Sequence, residues 1–115
     1  MKIDTQKESS FYIIAIDGDL DASSSIVLDT AIMEAIGRDE KAILFDCNAL
    51  SYISSAGLGV FMSYLNEFEQ QQIYSALYSL NPKVKNVFEI LGLDQLIQIY
   101  ADKQEAISRF NAAEL

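Results

Sequence analysis

Three short apolar runs alternate along the chain with longer segments whose apolar residues recur at helical spacing. The runs cover residues 11–16, 42–47 and 73–80, and each contains β-branched or aromatic residues. Runs of this length and composition are typical of buried strands. Because strands that are separated by helices join through right-handed crossovers, the alternation predicts a mainly parallel sheet covered by helices.

Two of the helical segments lie between these runs. The first predicted helix covers residues 23–36, with its cap within 21–24 and Gly37 in the left-handed position that often follows a last turn. The second begins at residue 55 or 56 and ends at residue 71, with apolar residues at i, i+3, i+4 and i+7. We expect both helices to bury one stripe against the sheet.

The residues after the third run predict a helix, a short strand and a last helix. Asn81-Pro82 combines a favoured cap with a favoured first helical residue, and Gly92 is expected to end that helix. A short strand is expected over residues 97–100. Asp102 and Glu105 then have the spacing of a capping box, which predicts the start of the last helix.

The N-terminal residues complete the predicted fold. A weaker alternation over residues 2–7 predicts an antiparallel edge strand, which a turn at 8–10 joins to the first buried strand. We expect that first buried strand to stop at a turn over 17–19. The result is an α/β fold with a mainly parallel sheet of four to five strands, an antiparallel N-terminal edge strand and about four helices. A length of 115 residues fits one domain spanning 1–115.

The charge balance and the absence of histidine restrict the possible functions. The chain has 8 Lys and Arg against 17 Asp and Glu, a net charge of −9. Such a chain is repelled by nucleic acid and by anionic membranes, and it favours a basic protein partner. The lack of histidine removes Ser-His-Asp catalysis and histidine metal sites. We therefore predict a binding or signalling module, not an enzyme, with no cofactor and no metal.

The single cysteine and the apolar pattern add two further expectations. Cys47 has no second cysteine with which to form a disulfide or a metal cluster, so we expect a buried, inert side chain. No apolar run approaches 18 residues, and the first residues do not have the pattern of a signal peptide. These features predict a cytoplasmic protein without a membrane partner.

The most informative segment covers residues 46–60. A strand there ends in a carboxylate, a loop follows, and Ser54 and Ser55 precede a helix that holds Gly57 and Gly59 near its start. Each glycine disfavours the helix by about 1 kcal/mol relative to alanine, which predicts close approach of a packed neighbour or a partner surface. The free N–H groups and the positive dipole at a helix N-terminus suit an anion such as a phosphate.

Three separated motifs resemble the STAS family in its bacterial form of anti-sigma factor antagonists. Residues 52–60, Tyr-Ile-Ser-Ser-Ala-Gly-Leu-Gly-Val, resemble the family signature. Residues 16–21 resemble its acidic turn before the first helix, and residues 81–84 and 87–93 resemble its third-helix segment. The motifs occur in the family's order, and the resemblance covers essentially the whole chain. It implies a single STAS-like domain.

The resemblance also implies a cycle of partner switching. In such a cycle the unphosphorylated antagonist binds an anti-sigma factor serine kinase and so releases the sigma factor. The kinase phosphorylates one serine, the modified antagonist dissociates, and a PP2C-type phosphatase resets it. The motif places the phosphoacceptor on Ser55. Ser54 is the second choice, because that position is usually Asp in the family, and Ala56 stands where Ser or Thr is common.

The charged residues are distributed in a way that fits a docking surface for a basic partner. No basic residue lies between Lys7 and Arg38, or between Lys41 and Lys83. This distribution predicts an acidic docking face near the end of the sheet where α/β proteins place ligands. The predicted partner-binding residues are Asp19, Asp21, Ser54, Ala56, Gly57 and Leu58.

Simpler roles remain open for several of these residues. Ser54 and Ser55 could act only as helix caps, Asp21 could cap the first helix, and Asp46 could support its own loop. The alternative functions are a nucleotide-sensing STAS module and a component of a larger signalling assembly. A hydrolase that uses Ser55 with Asp46 would lack a residue to activate the serine.

Overall fold

A six-stranded sheet with helices on both faces makes up the computed structural model, which describes residues 1–114. Three α-helices and one 3-10 helix lie between strands in the described chain, and a fourth α-helix follows the last strand. In chain order the elements are β1 (Lys2–Glu8), β2 (Phe11–Leu20), α1 (Ser25–Gly37), β3 (Ala42–Asp46), β4 (Leu50–Ile53), α2 (Ser55–Gln70), β5 (Tyr74–Tyr78), α3 (Pro82–Ile90), the 3-10 helix (Leu93–Gln95), β6 (Ile99–Tyr100) and α4 (Lys103–Glu114).

The sheet has the predicted mixed character. Its strand order is β1-β2-β3-β5-β6, and β4 pairs with the last part of β2. β1 pairs with β2 antiparallel, from Lys2 opposite Asp17 to Glu8 opposite Phe11, and the other pairs are parallel. The α/β class and the antiparallel N-terminal edge strand are therefore confirmed.

Helices cover both faces of the central strands. One face packs against α1, α2 and α3, and its core includes Ile14, Phe45 and Leu77. The other face packs against α4, where Phe110 contacts Phe11 edge to face at 5.0 Å between ring centroids. Because both sides of these strands are buried, their sequences read as continuous apolar runs and do not alternate.

The prediction for the end of β2 was wrong. The strand continues through the expected turn to Leu20, with a shift of register between Gly18 and Asp19. Gly18 has φ +99°, a conformation that favours glycine, and its N–H donates to the Ala49 carbonyl at 2.9 Å. A bulge of this kind bends a strand without ending it.

A strand, β4, occupies part of the region expected to be a loop. It contains four residues, of which Leu50 and Ile53 are buried and the two between them are exposed. A segment so short does not show a periodicity that the sequence alone can distinguish from a loop. The short strand expected over 97–100 is present as β6 (Ile99–Tyr100), so the unpredicted β4 raises the number of strands from the expected four to five to six.

The left-handed residue after α1 was also predicted wrongly. Gly37 is the last helical residue, and Asp39, with φ +62°, takes the left-handed position. The Glu40 N–H donates to the Ala35 carbonyl and the Asp39 N–H to the Ile36 carbonyl, which together close a Schellman motif. Aspartate tolerates this conformation better than most residues, so glycine is not required there.

The predicted caps of the later helices are largely confirmed. The Val84 N–H donates to Asn81 Oδ1 at 2.8 Å, and Gly92 adopts φ +72° after α3. At α4 only half of the capping box forms. The Glu105 N–H donates to Asp102 Oδ1 at 2.9 Å, but the Glu105 carboxylate accepts from the Ala101 N–H.

Two alanine substitutions test this assignment of helix ends. We expect Gly37→Ala to raise the free energy of unfolding by up to about 1 kcal/mol, because residue 37 is helical and a Cβ there meets open space. Gly92→Ala should lower it by about 1 kcal/mol, because that residue is left-handed. Urea denaturation measures both. A loss of stability in Gly37→Ala would contradict the assignment.

Candidate functional site

The N-termini of α1 and α2 are held together at one end of the sheet. β4 lies beside the end of β2, with Asp19 opposite Tyr52 and Leu20 opposite Ile53. The Ser54 N–H then donates to the Leu20 carbonyl at 2.9 Å. The acidic segment before α1 and the serines at the start of α2 are therefore neighbours, as the sequence predicted.

Ser54 is the N-cap of α2. Its backbone is extended, and its Oγ accepts from the Gly57 N–H at 3.2 Å. Its carbonyl accepts the first helical hydrogen bond, from the Leu58 N–H at 3.0 Å. The hydroxyl of Ser54 is therefore engaged in the fold, and replacing such a cap with alanine typically lowers stability by about 1 kcal/mol.

Ser55 is the first helical residue of α2, and it is exposed. Within residues 1–114 its hydroxyl makes no hydrogen bond, and the N–H groups of Ser55 and Ala56 have no acceptor. The first turn contains no acidic residue that would offset the positive end of the helix dipole. An anion on the Ser55 hydroxyl would meet unpaired donors and a favourable dipole.

The two glycines of α2 have different surroundings. A Cβ at Gly57 would lie 2.8 Å from Cγ of Leu20 and 3.0 Å from Cγ1 of Ile53, so a packed neighbour accounts for this glycine. A Cβ at Gly59 would meet no packed neighbour within 4 Å among residues 1–114, apart from the adjacent backbone of its own helix, and the residue is exposed. Internal packing therefore explains Gly57 but not Gly59.

Asp21 caps the start of α1 through a reciprocal pair of hydrogen bonds. Its Oδ1 accepts from the Ser24 N–H at 3.0 Å, and the Asp21 N–H donates to Ser24 Oγ at 2.8 Å. The Ser24 N–H, then the Ser24 hydroxyl and the Ser23 hydroxyl, lower the pKa of Asp21 from 3.8 to about 2. The carboxylate therefore stays ionised, and it remains exposed to solvent while it caps.

Five exposed residues share this end of the molecule, and we call them the rim: Asp19, Asp21, Tyr52, Ser55 and Ala56. Tyr52 had no assigned role in the sequence, because β4 was not predicted and nothing fixed which of its residues face outward. Two predicted partner-binding residues, Gly57 and Leu58, are instead buried. Their packing fixes the start of α2, so neither presents a side chain at the surface.

Asp46 and Cys47 take no part in the rim. Asp46 Oδ1 accepts from the Asn48 N–H at 3.0 Å, so this carboxylate supports its own loop. Cys47 is fully buried, and burial raises the pKa of its thiol. A buried thiol in its neutral form is a poor nucleophile, which agrees with the inert role expected from the sequence.

Comparison with known proteins identifies the family. A family model described as the STAS domain matches residues 2–106. The chain belongs to the STAS family. Within the described helices, none combines the length and apolar character needed to cross a membrane.

The curated relatives and solved structures of STAS proteins resemble this chain along most of its length. BtrV of Bordetella bronchiseptica, a candidate anti-sigma factor antagonist, is 27% identical over 113 residues, which cover 98% of this chain and 97% of BtrV. The anti-sigma-B factor antagonist of Listeria monocytogenes is 27% identical over 94 residues, 82% of each chain. The unphosphorylated anti-sigma factor antagonist SpoIIAA of Bacillus shares the fold, with a TM-score of 0.80 and 24% identity over 96% of this chain and 97% of SpoIIAA.

Alanine at each glycine of α2 tests their different surroundings. We expect Gly57→Ala to lower the free energy of unfolding by about 1–3 kcal/mol, because the new methyl group overpacks against buried Leu20. Gly59→Ala, the matched control, should raise it by up to about 1 kcal/mol. Both are measured by urea denaturation. Equal stability of the two variants would show that Gly57 is not required for packing.

The cap formed by Asp21 predicts a pH dependence of stability. Because folding depresses the pKa of this carboxyl from 3.8 to about 2, its stabilisation is complete above about pH 4 and is lost as the pH falls through about 2. The control is Asp21→Asn, which keeps an acceptor oxygen but does not titrate. We expect the wild-type protein to lose stability more steeply than this variant over that interval. Parallel curves in urea denaturation would contradict the cap.

Proposed function

We propose that the protein is an anti-sigma factor antagonist that is controlled by phosphorylation of Ser55. The unphosphorylated form binds an anti-sigma factor serine kinase through the rim and so releases a sigma factor in the cytoplasm. The observation that carries the proposal is the position of the Ser55 hydroxyl at the first position of α2, where it is exposed and makes no hydrogen bond within residues 1–114. The names of the STAS relatives support it, because those from Listeria monocytogenes and Bacillus are anti-sigma factor antagonists.

In the proposed reaction Ser55 is a substrate and the kinase supplies the catalysis. Ser55 Oγ attacks the γ-phosphorus of ATP and gives its proton to a base of the kinase. The new Oγ–P bond forms as the bond between the γ-phosphorus and the bridging oxygen breaks, and ADP leaves. A PP2C-type phosphatase then transfers the phosphoryl group to water and restores the hydroxyl. SpoIIAA, which shares this fold, has been solved in a phosphorylated form as well.

Phosphate on Ser55 would leave the free antagonist folded. The group adds about −1.5 to −2 charges at pH 7, beside the unpaired N–H groups of Ser55 and Ala56. In a complex the same group must lose its water, and a buried charge without a partner is unfavourable by several kcal/mol. Each 1.4 kcal/mol corresponds to a tenfold change in affinity. The modification therefore acts on the complex and not on the fold.

The two serines differ as acceptors. Phosphorylation of Ser54 would disturb the hydrogen bond that its Oγ accepts from the Gly57 N–H, whereas the Ser55 hydroxyl is unbonded within the described chain. Ser55 is also the more exposed of the two residues. These differences support Ser55 as the acceptor.

Serine variants and a kinase assay test the proposal. Wild-type protein, Ser54→Ala, Ser55→Ala and Ser55→Asp are each incubated with Mg-ATP and, in turn, with each purified anti-sigma factor serine kinase of the source organism. Mass spectrometry should detect one phosphate on the wild-type and Ser54→Ala proteins and none on Ser55→Ala. Calorimetry should give Ser55→Ala an affinity near that of the wild type, and Ser55→Asp a Kd at least about tenfold higher.

The results of this assay distinguish a wrong choice of acceptor residue from a wrong function. Normal phosphorylation of Ser55→Ala with loss in Ser54→Ala would move the acceptor by one residue and leave the function intact. If no kinase binds or modifies the wild-type protein, the proposed function is wrong.

A further inference from the structure

Helix α1 is apolar on two opposite faces. Its inner face is part of the core through Leu28, Ile32 and Ala35, which are fully buried. Its outer face carries Ile26, which is 67% exposed, and Met33, which is 58% exposed. A surface helix normally turns polar residues outward, and one that is apolar all round is normally covered on both sides. Within residues 1–114 no element covers the outer face of α1.

Thr30 joins the two exposed residues into one stripe. Ile26, Thr30 and Met33 stand at i, i+4 and i+7, so they lie on the same side of the helix. The Thr30 hydroxyl donates to the Ile26 carbonyl at 3.0 Å. This bond satisfies the hydroxyl within the helix, so Thr30 does not interrupt the apolar character of the stripe. The i, i+4, i+7 spacing is typical of helix faces that bind an apolar partner segment.

The stripe is held in a fixed position relative to Ser55. Tyr64 of α2 donates its hydroxyl to Asp29 Oδ1 of α1 at 2.7 Å. Burial, followed by this hydrogen bond, raises the pKa of Tyr64, so the phenol stays a donor. At the end of β2, which leads into α1, the Ser54 N–H donates to the carbonyl of Leu20, next to Asp21. These hydrogen bonds therefore join the helix that carries the stripe to the elements that carry the rim.

The charges around the stripe indicate which partner can cover it. No basic residue occurs in α1, while Asp21 precedes it and Glu34 is exposed on its last turns. Arg38, which directly follows the helix, forms an ion pair with Glu40 at 3.5 Å. A second copy packed on α1 would bring like charges together, which disfavours a dimer through this face. A segment with apolar residues flanked by Lys or Arg would complement both the stripe and its acidic borders.

We infer that Ile26, Thr30 and Met33 extend the rim into one continuous docking surface, which receives an apolar, Lys- or Arg-flanked segment of the anti-sigma factor kinase. This inference rests on the proposed function, because it adds a second contact to the same complex. The rim then carries the phosphorylation switch, and the α1 stripe supplies apolar contact area that phosphate does not alter.

Aspartate substitutions on exposed apolar residues test the inference. Ile26→Asp and Met33→Asp place a charge in the proposed contact, and Ile90→Asp does the same at a 74% exposed residue at the end of α3. All three side chains are exposed, so the fold should tolerate them, and urea denaturation checks this. With the kinase that phosphorylates the wild-type protein, we expect calorimetry to give a Kd at least tenfold higher for the two α1 variants and unchanged for Ile90→Asp.

A charge reversal tests the chemistry assigned to the partner. Glu34→Lys should weaken binding to the same kinase, and the loss should shrink at high salt, because screening reduces repulsion between exposed charges. Glu34→Gln should have a smaller effect in the same direction. Unchanged or stronger binding by Glu34→Lys would overturn the basic character of the segment.

The remaining outcomes separate this inference from the proposed function. Normal binding by Ile26→Asp and Met33→Asp, together with weak binding by Ser55→Asp, would overturn the α1 contact and leave the proposed function in place. A wild-type dimer in sedimentation that Ile26→Asp dissociates would assign the stripe to a second copy. If no kinase binds the wild-type protein, both proposals fall.

Discussion

The pairing of β4 with the end of β2 determines the arrangement of the functional end of this protein. Leu20 is at the centre of that pairing. Its carbonyl accepts the Ser54 N–H, and its fully buried side chain lies where a Cβ of residue 57 would have to fit. This contact accepts only a glycine at position 57 without repacking, and it places the acidic start of α1 beside the serines of α2. A change that moved Leu20 would therefore displace both helix termini together.

Two adjacent serines have different surroundings, which suit Ser54 to a structural role and Ser55 to the proposed functional one. The extended backbone of Ser54 directs its Oγ to the Gly57 N–H, whereas helical Ser55 leaves its Oγ in solvent. A hydroxyl that already supports the fold is a poor switch, because its modification would alter both stability and binding. A hydroxyl beside unpaired N–H groups can accept a phosphate with little effect on the fold. In the proposed function, this separation of cap and acceptor would allow binding to be regulated while the protein stays folded.

The sequence predicted correctly the helices and strands that bury many residues. Its predictions failed for features that depend on only a few residues, such as a four-residue strand or the residue that ends a helix. The buried strands and the cap at Asn81 follow from local composition, which the tertiary structure reinforces. β4 has only two buried residues, so its signal is too short to recognise. The left-handed residue after α1 is Asp39 and not the predicted Gly37, because aspartate tolerates that conformation. At the site, the sequence placed Ser55 at the start of a helix, where the structure has it, and its role as the acceptor stays a prediction. The inward packing of Gly57 and Leu58 was not predicted, because it depends on neighbours that are distant in sequence.

If α1 contacts the partner as inferred, its surface would let one motif serve different partners within a family of shared fold. In the proposed function the serine and the helix dipole at the rim are generic chemistry, since every kinase partner would have to reach the same hydroxyl. To distinguish one partner from another, a protein needs contacts that lie outside the region where the phosphate is transferred. A wrong partner is rejected when its charges repel those of the surface or when it leaves an apolar surface uncovered. The stripe at Ile26 and Met33, bordered by carboxylates, has both properties. Its acidic borders also oppose self-association, so an exposed apolar face can persist on a protein with a net charge of −9.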